Sequence, residues 1–175
     1  MKYAKSLAIA ALCIVSLTVF GQKSLSPAFY RNQIALQGGF GKTSAPGVKF
    51  PFSGSLSAYF RRDRHALGFR RDYHSELQFF QSSTYYRFLS VYYGNAWVKK
   101  NSVLIPQIAI GSFSSNFPTD QKQVYRGFAA EIGLEGSVLK RGNGIGARVF
   151  FNWNEVQPYV GFQFLLNIGY SWTAQ

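Results

Sequence analysis

The last stretch of the chain constrains the fold most. Val160, Phe162, Phe164, Leu166, Ile168, Tyr170 and Trp172 alternate with Gly161, Gln163, Leu165, Asn167, Gly169 and Ser171. A period of two marks an extended strand, whose successive side chains point to opposite faces. A helix would scatter these rings around its circumference, whereas a strand gathers them on one face. The same rule sets Ile145, Ala147, Val149, Phe151 and Trp153 against Gly146, Arg148, Phe150 and Asn152. It also sets Phe128, Ala130, Ile132, Leu134 and Val138 against Ala129, Glu131, Gly133, Glu135 and Ser137.

Five further segments, 32–42, 52–60, 66–73, 84–98 and 103–113, follow the rule less cleanly. None shows a helical period over three turns. The expectation is an all-β chain of eight antiparallel strands. Pro106 brings no N–H to a ladder, so a gap or bulge in the pairing is expected there.

The links carry further information. They fall at 43–51, 61–65, 74–83, 99–102, 114–127, 140–144 and 154–158, and the first six alternate long and short. Tight turns at one end and longer loops at the other suit an up-and-down barrel through a membrane, with the short turns periplasmic. Strands of about 9–11 residues, tilted about 45°, cross the hydrocarbon layer. An even strand count brings both termini to the periplasmic side. Tyr30, Tyr73, Tyr85, Trp97, Tyr159, Tyr170 and Trp172 fall near strand ends, where interfacial girdles want rings with polar tips. Only 15% of residues are charged and 18% are aromatic. A water-covered domain carries about 25% charged residues.

The N-terminus reads as a targeting segment. Lys2 and Lys5 precede an apolar run from Leu7 to Phe20, too short to span a bilayer. Val19 and Gly21 stand where a small-residue cleavage site places them. The expected organisation is a signal peptide over 1–21 and a barrel over 22–175. Losing Lys2 and Lys5, with no acid in that segment, lowers the net charge from +12 to +10. The one cysteine, Cys13, lies within the signal, so no disulfide or thiol chemistry is expected beyond it. Leu12 before it does not fit a lipoprotein signal. A basic total at low charge density does not make a nucleic-acid stripe, and no nucleic-acid partner is expected.

With these features the chain resembles the small eight-stranded outer-membrane barrels of Gram-negative bacteria, over almost all of its mature length. The strand bearing Phe162, Phe164, Leu166, Ile168, Tyr170 and Trp172 resembles the aromatic-ended signal that barrel assembly machinery recognises. Thr173, Ala174 and Gln175 depart from it by following the final ring. The resemblance implies a monomer in the outer membrane, in contact with its lipid and lipopolysaccharide, delivered by the assembly machinery and needing no cofactor. In length and strand order alone, the chain is also similar to the TraO-type barrels of conjugative transposons.

Eight strands leave a lumen just wide enough for side chains, so a closed polar interior is expected. Its inward set includes Gln33, Gln37, Ser55, Ser57, Tyr59, Arg70, Asp72, Gln107, Glu131, Glu135, Arg148, Asn152, Gln163 and Asn167. Glu131 and Glu135 share one face of a strand, with Arg148 on the next strand within reach of one or both. Charges in such a lumen persist only when paired and hydrogen-bonded. The alternative for the two carboxylates is a general acid/base pair. The short turns are expected to form a basic periplasmic edge. Arg61, Arg62 and Arg64 with Asp63 carry a net +2, as do Lys99 with Lys100 and Lys140 with Arg141.

Catalysis finds little material. A lipid-modifying hydrolase or acyltransferase needs a nucleophile, a base and an orienting group within hydrogen-bond reach. His65 falls in a short turn. His74 falls at the outer rim near Asp72, Ser75 and Glu76, but adjacent strand residues face opposite ways. Two histidines nine apart without cysteine do not make a zinc site. The glycines of Gly38-Gly39-Phe40-Gly41-Lys42-Thr43 lack P-loop spacing and a following helix. The chain is therefore expected to be a non-enzymatic barrel acting structurally or through its outer loops. The rivals are a lipid-modifying enzyme and a secreted lipocalin-like barrel, which would turn the apolar face inward and Glu131, Glu135 and Arg148 outward.

Overall fold

The computed structural model describes residues 32–44, 51–76, 85–99, 101–116 and 124–172. The expected signal segment, Tyr30, Lys100 and most of the longer links lie outside the described residues. The chain forms strands β1 (Asn32–Thr43), β2 (Pro51–Arg62), β3 (His65–Glu76), β4 (Tyr85–Asn95), β5 (Trp97–Lys99), β6 (Ser102–Asn116), β7 (Val124–Lys140), β8 (Asn143–Asn154) and β9 (Tyr159–Trp172). Sequence neighbours pair antiparallel throughout, except that β4 and β5 do not pair with each other but both pair with β6, and β9 returns to β1. The sheet is closed, and β4 with β5 makes one stave of an eight-stave barrel.

The interruption in that stave faces the proline flagged by the sequence. Pairing of β4 with β6 ends at Gly94 opposite Gln107 and resumes in β5 at Trp97 opposite Leu104. Asn95 and Ala96 thus run past Ile105 and Pro106 without a ladder, because proline has no N–H to give. On its other side the stave stays attached, with Ala96 N–H donating to the Arg64 carbonyl at 2.6 Å.

Closure fixes the stagger. Cross-strand partners run from Ile34 through Phe60, Leu67, Tyr93, Ile108, Ile132, Phe151 and Val160. Val160 then accepts a hydrogen bond from the N–H of Ser44, ten residues beyond Ile34 on the starting strand. A register shift of this size in eight strands goes with a tilt of roughly 45°.

The period of two decides which face meets which medium. Outward positions are apolar and exposed: Leu36, Leu56, Phe69, Leu89, Ile110, Ile145, Phe164 and Ile168, with Phe128 at 80%. Inward positions are buried and mostly polar, among them Gln33, Gln37, Arg70, Asp72, Glu131, Glu135, Arg148, Asn152, Gln163 and Asn167. This arrangement is the reverse of a lipocalin-like ligand carrier. An apolar exterior with paired charges inside is the pattern of a transmembrane barrel.

Tight turns join the staves at the end where Asn32 meets Trp172. Asp63 opens one with φ 53°, and Arg141 and Gly142 make another with φ 54° and 94°. Both central residues of a type I′ hairpin need positive φ, which matches strand twist. At Gly142 an added Cβ would also come within 2.7 Å of the Gly169 backbone. Gly142→Ala is therefore expected to cost at least about 1–2 kcal/mol, read as a lower urea midpoint for the barrel refolded in detergent.

Several strands run further than their sequence pattern suggested. β3 continues to Glu76, so His74 belongs to the wall and points inward rather than sitting in an outer loop. β2 continues to Arg62, which turns Arg61 inward with Ser57 and Tyr59. Arg61 is therefore not part of an exposed basic edge. Tyr159, expected in the girdle, is 2% exposed and faces the lumen.

Candidate functional site: the barrel interior

The lumen is filled in three layers. Next to the tight turns, Ala66, Ala96, Val103, Ile105 and Leu139 form an apolar cluster. Toward the longer links, Tyr86, Phe88, Phe113, Phe150 and Tyr159 close the other end with their rings. His74 sits among these, stacked on Phe150 at 5.6 Å and edge-on to Tyr159 at 5.1 Å. Between the two layers lies a belt of charge.

Asp72 is the hub of the belt. One carboxylate oxygen accepts from Arg70 Nε at 3.0 Å and the other from Arg148 Nη2 at 2.5 Å. Arg70 also donates to Glu131 through Nη2 and to Gln107 Oε1 through Nη1, the latter at 3.2 Å. Arg148 Nη1 stands 3.9 Å from Glu131. Both guanidinium groups lie over rings, Arg70 on Tyr92 at 4.9 Å and Arg148 on Phe150 at 4.6 Å. All four ionic side chains are sealed from solvent, at 1% exposure or less.

Of the two carboxylates expected within reach of Arg148, Glu135 is the one it does not bind. It is the ladder partner of Arg148. Its carboxylate instead accepts from Gln37 Nε2 at 2.7 Å and Ser137 Oγ at 3.3 Å. Gln37 also donates to Asn167 Oδ1 at 2.9 Å and accepts from Ser57 Oγ at 3.1 Å. A second amide knot holds the next level, where Gln163 donates to Ser53 Oγ at 2.6 Å and accepts from Ser55 Oγ at 3.0 Å. Arg148 is thus paired across the lumen, with Asp72 on β3, and its ladder neighbour is satisfied by an amide and a hydroxyl.

Catalytic chemistry is poorly served by this arrangement. Among the described residues, neither ring nitrogen of His74 has a hydrogen-bond partner. His74 therefore hydrogen-bonds to neither a nucleophile nor an orienting acid, and its ring packs against Phe150 and Tyr159. His65 stands on the outward face and bonds through Nδ1 to the Tyr93 hydroxyl at 2.6 Å. Glu131 is held by arginine, and no group of three or more metal-ligating side chains occurs among the described residues.

The other residues singled out by the sequence lie on the wall and its edges. Arg62, Lys99, Lys140 and Arg141 are exposed at the tight-turn end, and Arg64 is half-buried there. Arg61 instead donates inward to Gln33 Oε1 at 3.3 Å and to the Asp63 carbonyl at 3.0 Å. On β9, Phe162, Phe164, Leu166, Ile168 and Tyr170 form an outward stripe. Trp172 ends it, stacked on Tyr170 at 5.8 Å and tilted against Phe60 at 6.4 Å.

This geometry has counterparts among solved structures. Neisserial surface protein A superposes with a TM-score of 0.57 at 9% identity, covering 78% of this chain and 96% of that one. The chain has the fold of the small eight-stranded outer-membrane β-barrels. Ail, the attachment invasion locus protein of Yersinia pestis, matches with a TM-score of 0.52 at 12% identity, covering 81% of this chain and 97% of the other. The outer membrane enzyme PagL matches at 0.50 and 10%, covering 77% and 98%. No protein-family profile and no curated protein matches the chain in sequence. One barrel fold thus serves a surface protein, an attachment protein and an enzyme, so role has to be argued from side chains.

Proposed function

We propose that the chain is a monomeric, non-catalytic integral outer-membrane protein, a rigid closed barrel that presents its longer links for interaction. The carrying observation is the lumen, in which two apolar layers enclose a fully buried ionic belt. Among the described residues such a filling serves rigidity and leaves neither a conducting column nor a cleft around a reactive group. The sequence at 44–50, 77–84 and 117–123, between the strand ends opposite the tight turns, is where partner contact is expected. The outward stripe of β9 is the segment offered to the assembly machinery, and lipid with lipopolysaccharide surrounds the wall.

The test is extraction of the native protein from outer-membrane fractions in mild detergent. The expected result is heat-modifiable gel migration, together with a co-purifying protein that is lost when 77–84 and 117–123 are replaced by short glycine-serine links. A partner retained by the loop-replaced barrel would overturn the reading. So would lipid turnover by the wild type that disappears in His74→Ala.

A further inference from the structure

One part of the outer wall is not a plain lipid-facing surface. The cross-strand row Trp97, Leu104, Gly136, Ala147 and Phe164 is bulky at both ends and small in the middle. Toward the tight turns the next row is Lys99, Ser102, Val138 and Ile145. Together they enclose a groove of about 770 Å³, with Arg64 also lining it and no acidic residue among its lining. Its floor is the backbone laid bare at Gly136.

Nothing in the packing requires glycine at that place. A Cβ there would meet only Leu104 Cδ1, at 3.7 Å, an ordinary contact. The missing side chain therefore leaves room rather than relieving a clash. The groove is apolar along its length, while Arg64 and Lys99 bring two cations to its turn end and Trp97 adds an interfacial ring. Apolar depth under a cationic, indole-bearing mouth matches an acyl chain below an anionic headgroup.

The geometry points to a bound anionic phospholipid, its acyl chain lying over Gly136 and Ala147 and its phosphate at Arg64 and Lys99. This rests on the outer-membrane reading, with the tight turns facing the periplasm and the site in the inner leaflet. Recognition combines shape with charge, so a zwitterionic lipid of equal chain length fills the groove without engaging the cations.

The full barrel, extracted in mild detergent, can be incubated with phosphatidylglycerol or with phosphatidylcholine and examined by native mass spectrometry. The expected outcome is selective retention of phosphatidylglycerol. Arg64→Ala combined with Lys99→Ala should weaken it by about 30-fold, the effect of two basic side chains at an anionic surface. Gly136→Leu, which fills the groove, should abolish it, and every variant should keep heat-modifiable migration. Equal retention of the two lipids, undiminished binding by Gly136→Leu, or recovery of an acylated protein in place of the lipid overturns the proposal. Absence of heat-modifiable migration in the wild type is a separate failure, of the membrane-barrel reading itself.

Discussion

Asp72→Ala is expected to destabilise the folded barrel by about 3–5 kcal/mol, the range for removing one partner of a buried ion pair. The size follows from geometry. Asp72 serves two guanidinium groups at once, and both are at 1% exposure or less. Arg70 would keep Glu131, but Arg148 would be left with only the 3.9 Å approach to that same carboxylate. The readout is the urea midpoint of the barrel in micelles, or the temperature at which the folded gel band disappears. A complementary variant separates pairing from packing. Replacing all four members together, by Arg70→Met, Asp72→Leu, Glu131→Leu and Arg148→Met, removes the charges without orphaning any of them. Buried ionic groups exchanged for apolar residues of similar volume often leave stability unchanged or higher. The fourfold variant should therefore be more stable than Asp72→Ala. If Asp72→Ala matches wild type, the belt contributes nothing to holding the staves together.

The second large effect concerns the outer face. Ile108 and Ser112 point outward from the same strand, Ile108 between Tyr93 and Ile132 midway up the wall and Ser112 nearer the longer links. A charge on the lipid face of a barrel costs about 2–4 kcal/mol at the bilayer midplane and about 0–1 near the interface. Ile108→Arg is accordingly expected to cost several times as much as Ser112→Arg when both are unfolded from lipid vesicles. Equal effects would mean that no bilayer covers this wall. The protein already carries one natural marker of depth. Arg71 is exposed on the outward face of β3, paired with Leu56 and Leu89. Its charge is most easily kept where headgroups begin, so it sets an upper limit to the hydrocarbon on that side.

How much of this was legible in sequence depended on whether the information was local. From Val160 to Trp172 β9 could be read residue by residue, because one face is apolar and the other, apart from Leu165, is small or polar. Pro106 announced its gap, since a missing N–H acts at its own position. Strand ends were less visible. His74 and Arg61 continue the inward parity of Asp72 and Tyr59, but both stand beside turn-like polar residues, which drew the expected boundaries inward. The ring layer was hidden for another reason. On β4 both faces carry aromatic side chains, such as Tyr92 beside Tyr93, so alternation there could not tell lumen from lipid.

The pairing of Arg148 was legible only in part: Glu131, expected within its reach, stands 3.9 Å away, but Asp72, which accepts its hydrogen bond, was not foreseen as its partner. Its ladder neighbour Glu135 is the obvious partner on paper. Yet side chains inside a barrel meet across the lumen at equal height, and height depends on the accumulated stagger. The ten-residue shift brings Asp72 of β3 level with the guanidinium of Arg148 on β8. Only closure supplies that number.

The same long-distance pairing bears on how the barrel is made. Asp72 and Arg148 belong to opposite halves of the chain, so their bond cannot exist in a partly built sheet. Until β9 reaches β1, a curling intermediate exposes these charges on its concave side, where water must solvate them. Sealing the seam expels that water and brings acid and guanidinium together in one event. The ionic belt then acts as a latch on a finished cylinder, closing only when every stave is present and in register.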